Sequence, residues 1–426
     1  MIKKIIFIVL VSLLLTGLNG YANAKCIKVK TTELTCADRT IYVDDDNTQG
    51  PWDGTIDNPF QYIQDGIKTA ENSDIIYVFS GNYIVTDKND IVIDKQISIK
   101  GENKDTTIIT ASGFDDYVIK INFDYVTISN LTAKNAIRGI VCNSNFCNII
   151  DNIITDNFDG ILLSSASYNT ISKNNIIDNL NGITLDDSSK NNNISLNDVI
   201  ENLRGIEFIK KCNENIIFKN NVIKNSETAI LIRSDYNIII NNTIRKNSYG
   251  IFGAGISLQK ASHNKIIGNI ISENNDDGIV LTASSKYNII YENNIIDNVH
   301  NIDGSWFGIY IVDSSDNNII FHNNFINNKG PVLSRNAFDN CNNIWYNSTL
   351  KEGNYWDDYI GTDIDNNGIG DSPNQIFGGS NKDLYPLMKP YNEKTKARSS
   401  NKSNLNPFQK YFEQFVIIKK LLLILI

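Results

Sequence analysis

NTISKNNIIDNLNGITL, residues 169–185, returns as NNISLNDVIENLRGIEF at residues 192–208 and as NIIFKNNVIKNSETAIL at residues 215–231. Three asparagines stand five residues apart in each copy, and Gly-Ile or Ala-Ile follows a few residues later. The triplets are Asn169/Asn174/Asn179, Asn192/Asn197/Asn202, Asn215/Asn220/Asn225, Asn237/Asn242/Asn247, Asn264/Asn269/Asn274, Asn288/Asn293/Asn298 and Asn318/Asn323/Asn328, with Cys147/Asn152/Asn157 before them. Successive third asparagines are separated by 22, 23, 23, 22, 27, 24 and 30 residues, so the period is about 23 with two insertions. Such a period marks a solenoid. The segments between asparagines are too short and too rich in isoleucine for helices, so each coil offers three strands. One coil cannot bury its isoleucines, whereas stacked coils bury them continuously and pair every backbone group. The expected fold is all-β, a single-stranded right-handed parallel β-helix with three strands per coil. Its asparagines tolerate the left-handed backbone of each corner and form amide ladders along the axis. A leucine-rich horseshoe fails because leucine does not recur and no helix completes the unit.

The remaining chain divides around these repeats, which occupy residues 118–347. Residues 41–117 supply the N-terminal cap and first coils. There Asn58-Pro59 starts a capping helix carrying Phe60, Ile63, Ile67 and Ala70 at helical spacing. Residues 348–390, with the nearby Trp345 and Tyr346, supply an aromatic closing segment holding Tyr355, Trp356, Tyr359 and Tyr385. Polar residues 391–407 read as a linker. Residues 408–426 are apolar, are interrupted by Lys419 and Lys420, and suit a membrane surface, a sorting signal or docking on the protein itself.

Lys3 and Lys4, the apolar run that follows and Ala22-Asn23-Ala24 read as a signal peptide over residues 1–24, which places the protein outside the cytoplasm. There disulfides can form, with Cys26/Cys36 and Cys142/Cys147 near enough in sequence to pair. A net charge of −9 and the lack of a basic patch exclude a nucleic-acid partner.

The repeats resemble those of the NosD-type family and of the wider carbohydrate-binding and sugar-hydrolase (CASH) group within the pectin-lyase-like superfamily. IYVDDDNTQGPWDGTIDNPFQYIQDGIKTA (residues 41–70) is similar to the entry of such helices, and GNYWDDYIGTDIDNNGIGDSP (residues 353–373) to the close of surface proteins built on them. The resemblance implies the fold and is nearly silent on activity, because these motifs are scaffold; the expected partner is a polysaccharide or glycan surface. It also raises copper. His263, His300, His322 and Met388 are the soft donors besides cysteine, and their scatter over different coil positions argues against a copper site.

Three sets of residues are candidates for function. The two longest insertions fall at one corner and bring Tyr249 and Phe252, then His300, Asp303, Trp306 and Phe307, with Tyr310 on the following strand. Loops on a rigid solenoid suit a groove for a chain-like ligand whose sugar rings stack on aromatics. Alternation after Gly-Ile turns Asp186, Glu207 and Arg233 outward, with Thr184, Ser257 and Tyr310. Carboxylates beside a basic residue are what a lyase or hydrolase needs, although a solvated charged face is the plainer explanation. Finally, Asp363, Asp365, Asn367 and Asp371, with Gly368 between, resemble the start of a calcium loop, but Asn374 stands where its bidentate glutamate belongs. The expected function is non-catalytic binding of carbohydrate or another extended polymer, with a polysaccharide lyase or hydrolase as the alternative and a copper-binding maturation protein as the second.

Overall fold

The computed structural model describes residues 39–86, 89–112, 117–248, 253–298, 306–328 and 335–392. The expected signal peptide over residues 1–24, Cys26, Cys36, the expected linker beyond Asn392, residues 408–426, and Tyr249, Phe252, His300 and Asp303 all lie outside them.

The coils stack as expected. Each contributes one strand to each of three parallel sheets of 12, 12 and 11 strands, and neighbours in each sheet are one coil apart in sequence. The first sheet runs from Thr40–Val43 to Ile319–Phe321, the second from Gly81–Val85 to Tyr355–Trp356, and the third from Ile91–Ile93 to Arg335–Asp339. Register places like on like, so Ile149, Ile171, Ile194 and Ile217 sit above one another with essentially no exposure. In the third sheet the glycine of Gly-Ile permits close stacking: a Cβ on Gly205 would lie 2.4 Å from the carbonyl oxygen of Ala229 in the next coil.

The asparagine columns are hydrogen-bond ladders. Asn197 Nδ2 donates to Asn220 Oδ1 (2.9 Å) and Asn220 Nδ2 to Asn242 Oδ1 (3.0 Å), and each backbone N–H at these positions donates to the same oxygen. Every amide is thereby satisfied in the dry interior. All three ladders end on carboxylates of the closing segment or its approach. Asn343 donates to Asp339 (3.0 Å), Asn354 to Asp383 (3.4 Å), and Asn336 to both Asp357 (2.8 Å) and Asp358 (3.0 Å). The last amide of each column has no further amide to donate to, and an acceptor-only carboxylate supplies the need.

The left-handed corner belongs to the residue before each asparagine and not to the asparagine itself. Tyr168, Lys173 and Asp178 have φ of 60°, 58° and 56°, and Leu196, Lys219 and Glu292 repeat the pattern. Asn tolerates that backbone best, but here its amide is needed inside, so the strained position falls to its neighbour. At the first corner the left-handed residues include two exposed aromatic stacks, Tyr125–Phe146–Tyr168 and Tyr236–His263–Tyr287, with ring centroids 4.8–5.1 Å apart.

The capping helix starts later than Asn58-Pro59, at Ile63, and ends at Thr69. Phe60 is held by strand pairing instead: its N–H donates to Tyr42 O (2.9 Å) and its carbonyl accepts from Asp44 N (2.8 Å). The helix then seals the third sheet, where Gln64 Oε1 accepts from Val92 N (3.0 Å) at the exposed edge of the first strand. At the other end Trp356 stacks on Phe325 (4.3 Å) above the fully buried Trp345. Cys142 and Cys147 are free thiols in the core, not the disulfide their spacing allowed: Cys142 Sγ donates to Ser144 O (3.4 Å) and Cys147 Sγ faces Phe123 O and Asn145 O (3.4 Å each), and the influence of each thiol on the other pushes Cys142 up and Cys147 down from the usual thiol range.

Candidate functional site

The outward side of the third sheet gathers most of the described candidates. Its strands alternate Ile in and another residue out, as in Ile183-Thr184-Leu185 and Ile206-Glu207-Phe208. Leu162, Thr184, Glu207 and Leu231 therefore form one row, continued by Ser257, Val280, Tyr310 and Phe338. A second row comes from the residue before each glycine, or before Asn336 in the last coil: Asp159, Asn181 and Arg204, then Ala254 and Asp277, and Phe307 and Arg335. Thr184, Glu207 and Ser257 are only 4–5% exposed although they point away from the core, so this face is a recessed trough. From Asp159 to Arg335 it crosses seven coil steps, roughly 34 Å at the interstrand spacing.

Polar groups fill the middle of the trough. Glu207 is ion-paired with Arg233 and lies 3.9 Å from Arg204, whose Nε donates to Glu227 (2.8 Å). Arg233 Nε also donates to Gln259 Oε1 (3.1 Å). Upstream, Asn181 Nδ2 donates to Asp159 Oδ1 (2.9 Å), and the opposite atom, Asn181 Oδ1, is buried without a hydrogen-bond donor.

Downstream the chemistry changes. Asp277 Oδ1 accepts from Phe307 N (2.6 Å), and burial, reinforced by neighbouring Asp276, pushes its carboxyl well above the usual range. Phe307, Tyr310 and Phe338 then form an aromatic platform with ring centroids 5.2–5.4 Å apart. Burial, and then the Asp277 charge, raises the Tyr310 hydroxyl. Trp306 is half-buried at the start of the same strand.

The structure thus brings Glu207 and Arg233 together and sets Phe307 and Tyr310 on the same face. Asp186 does not join them: its Oδ1 accepts from Asp187 N (2.8 Å) at the strand end. Sequence reasoning missed Arg204, Glu227, Asp159, Asn181 and Asp277. For all of these but Glu227 the available signal was the position before the glycine, which belongs to the strand and shares its outer face.

In the calcium-like loop, Asp363 accepts from Asn367 N (3.0 Å) and Gly368 N (2.9 Å), and Asp371 accepts from Ile364 N (3.0 Å). Gly368 has φ +90°, which the turn requires. These aspartates thereby order the loop's own backbone, and among the described residues no three His, Cys, Asp or Glu stand together as a metal cluster.

A family model described as "Periplasmic copper-binding protein (NosD)" matches residues 53–231 and 221–361. No curated protein matches the chain. Among solved structures, the A-module of one mannuronan C-5 epimerase from Azotobacter vinelandii aligns at 14% identity over 66% of this chain and 92% of its own, with a TM-score of 0.53. A second such A-module from the same organism aligns at 13% identity over 71% and 99%, also with 0.53. The Dettilon tailspike protein aligns at 16% identity over 73% and 69%, with 0.55. At these identities the likeness is one of fold.

The described donors do not fit copper. His263 is stacked between Tyr236 and Tyr287, His322 is 2.7 Å from Glu352 and stacked on Tyr391, and the Cys142/Cys147 pair has no third soft ligand beside it.

Proposed function

We propose that this chain, which belongs to the NosD family, acts outside the cytoplasm and binds an extended carbohydrate polymer along the outer trough of its third sheet without cleaving it. The observation that carries the reading is the trough itself: a recessed track of hydrogen-bonding groups with an aromatic platform at the far end. Sugar hydroxyls suit the first, and the apolar face of a pyranose suits the second. A periplasmic family description and a fold shared with mannuronan epimerases support the location and the ligand class.

The absence of cleavage is argued from Glu207. Glu207 is held in ion pairs with Arg204 and Arg233, and Glu227, the carboxylate on the other side of Arg204, is itself paired with that guanidinium, so among the described residues neither stands free to share acid and base duties. The alternative, a lyase or hydrolase, draws its support from Asp277, whose raised carboxyl beside Asp276 has the environment of a general acid.

Affinity electrophoresis of the full chain through gels carrying mannuronan, guluronan, pectate or neutral glucans tests both readings. Retardation by one polymer that falls about tenfold or more in Tyr310→Ala is expected, the cost of removing a stacking anchor. Equal mobility in every gel, or a Tyr310→Ala chain that binds as tightly as the parent, removes the binding reading. Unsaturated or reducing ends released from the bound polymer would replace it with the enzymatic one.

A further inference from the structure

The outer face of the first sheet changes character halfway along the molecule. Over four coils its outward pairs are Thr127/Ser129, Asn148/Ile150, Thr170/Ser172 and Asn193/Ser195. Over the next five they are Ile216/Phe218, Ile238/Ile240, Lys265/Ile267, Ile289/Tyr291 and Ile319/Phe321. In each strand the middle residue is the buried one, so these flanking residues point out of the helix, and all ten are half-buried. Nine of the ten are apolar, on a patch about 20 Å long at the interstrand spacing. Nothing in the coil requires this: the preceding four coils carry polar residues at all of the same positions but Ile150. A contiguous apolar face of this kind marks a contact surface.

The described chain leaves the fold beside that patch. Tyr391 N donates to Asn324 Oδ1 (2.7 Å), Asn324 Nδ2 donates back to Tyr391 O (3.0 Å), and the Tyr391 ring stacks on His322 at 4.1 Å. The Tyr391 hydroxyl lies 3.5 Å from Glu292 Oε1. His322 and Glu292 directly follow Phe321 and Tyr291, the two aromatics at the near end of the patch. Fifteen residues, 393–407, all but Ala397, Leu405 and Pro407 polar, then lead to the apolar stretch 408–426. Fifteen residues reach about 50 Å when extended, more than enough to lay that stretch anywhere on the face.

We propose that residues 408–426 dock on this apolar face of their own chain, over Ile216–Phe218 to Ile319–Phe321. The segment has the composition the face calls for, with Phe412, Phe415, Val416, Ile417, Ile418 and the leucines after Lys420. Its tether begins at the edge of the patch, so docking within the chain has an effective concentration that a separate partner lacks. Lys419 and Lys420 interrupt the apolar run and disfavour insertion across a membrane, but they can project from a docked segment into water.

The test is photocrosslinking of the full chain with benzoylphenylalanine in place of Tyr291, and separately in place of Ile267, each with phosphatidylcholine vesicles present and absent. Peptide mapping is expected to find both positions joined to residues 408–426 of the same molecule. The same probe in place of Ser172, on the polar half of the face, should give no such product. Adding Phe415→Asp and Leu422→Asp should abolish the crosslinks while far-ultraviolet circular dichroism stays unchanged. Crosslinks to a second copy, crosslinks to phospholipid, or a folded chain with no crosslink from either position each overturn the proposal.

Discussion

Replacing Asn220 by alanine removes one amide from the middle of a ladder, and the structure says what that leaves behind. Asn220 Oδ1 accepts from Asn197 N (3.0 Å) and Asn197 Nδ2 (2.9 Å), while Asn220 Nδ2 donates to Ile194 O (2.9 Å) and Asn242 Oδ1 (3.0 Å). All of these atoms belong to the fully buried column. The Asn242 oxygen keeps the Asn220 backbone N–H at 2.9 Å, so it stays satisfied. Two donors on Asn197 and one carbonyl on Ile194 lose a partner. An unmet buried hydrogen bond costs about 1–3 kcal/mol, and some relaxation or water entry recovers part of it, so Asn220→Ala should destabilise by about 3–6 kcal/mol. Urea unfolding followed by far-ultraviolet circular dichroism measures this, with the exposed Lys210→Ala as a reference for ordinary surface change. A solenoid can unfold in parts, so the variant should show either a lowered midpoint or a separate early transition. A loss under 1 kcal/mol with an unbroken transition would refute the view that the ladders hold the coils in register.

Leu196 sits at a left-handed corner with φ 60° and is 48% exposed, so Leu196→Asn should stabilise by about 1 kcal/mol in the same assay; a lower urea midpoint would contradict the corner assignment. Asp383, at the end of its ladder, is raised by burial from 3.8 to about 6, against the pull of hydrogen bonds from Asn354, Trp356 and Tyr385. Because the folded state holds this proton more tightly, its contribution is full below pH 3.8 and is lost as pH rises through 6. The stability of the parent relative to Asp383→Asn should therefore fall by up to about 3 kcal/mol between pH 4 and pH 7, and a constant difference would disprove it. Calcium binding at Asp363, Asp365, Asn367 and Asp371 predicts a higher melting temperature with calcium than with chelator, an increment that Asp363→Ala removes; identical melts would dismiss the site.

Much of this protein was legible in one dimension. The spacing of Asn169, Asn174 and Asn179 and its returns determined the coil, the inward isoleucines and the rows along the axis, because each coil repeats its neighbour and stacking carries local pattern into long-range order. The same regularity hid what was not local. That the corner strain falls on Tyr168 or Leu196 follows from the inward pull on the adjacent amide, which spacing alone does not reveal. Phe60 left the helix because Val43 in the first strand, 17 residues earlier, held its backbone. Glu207 meets Arg204 within its own strand and Arg233 one coil on, and Asp339 and Asp383 close ladders that begin far up the chain. A repeat tells each residue which row it occupies. Which charges meet across coils, which outward face sinks into a trough and what ends a column depend on register and burial, and those exist only once the coils are stacked.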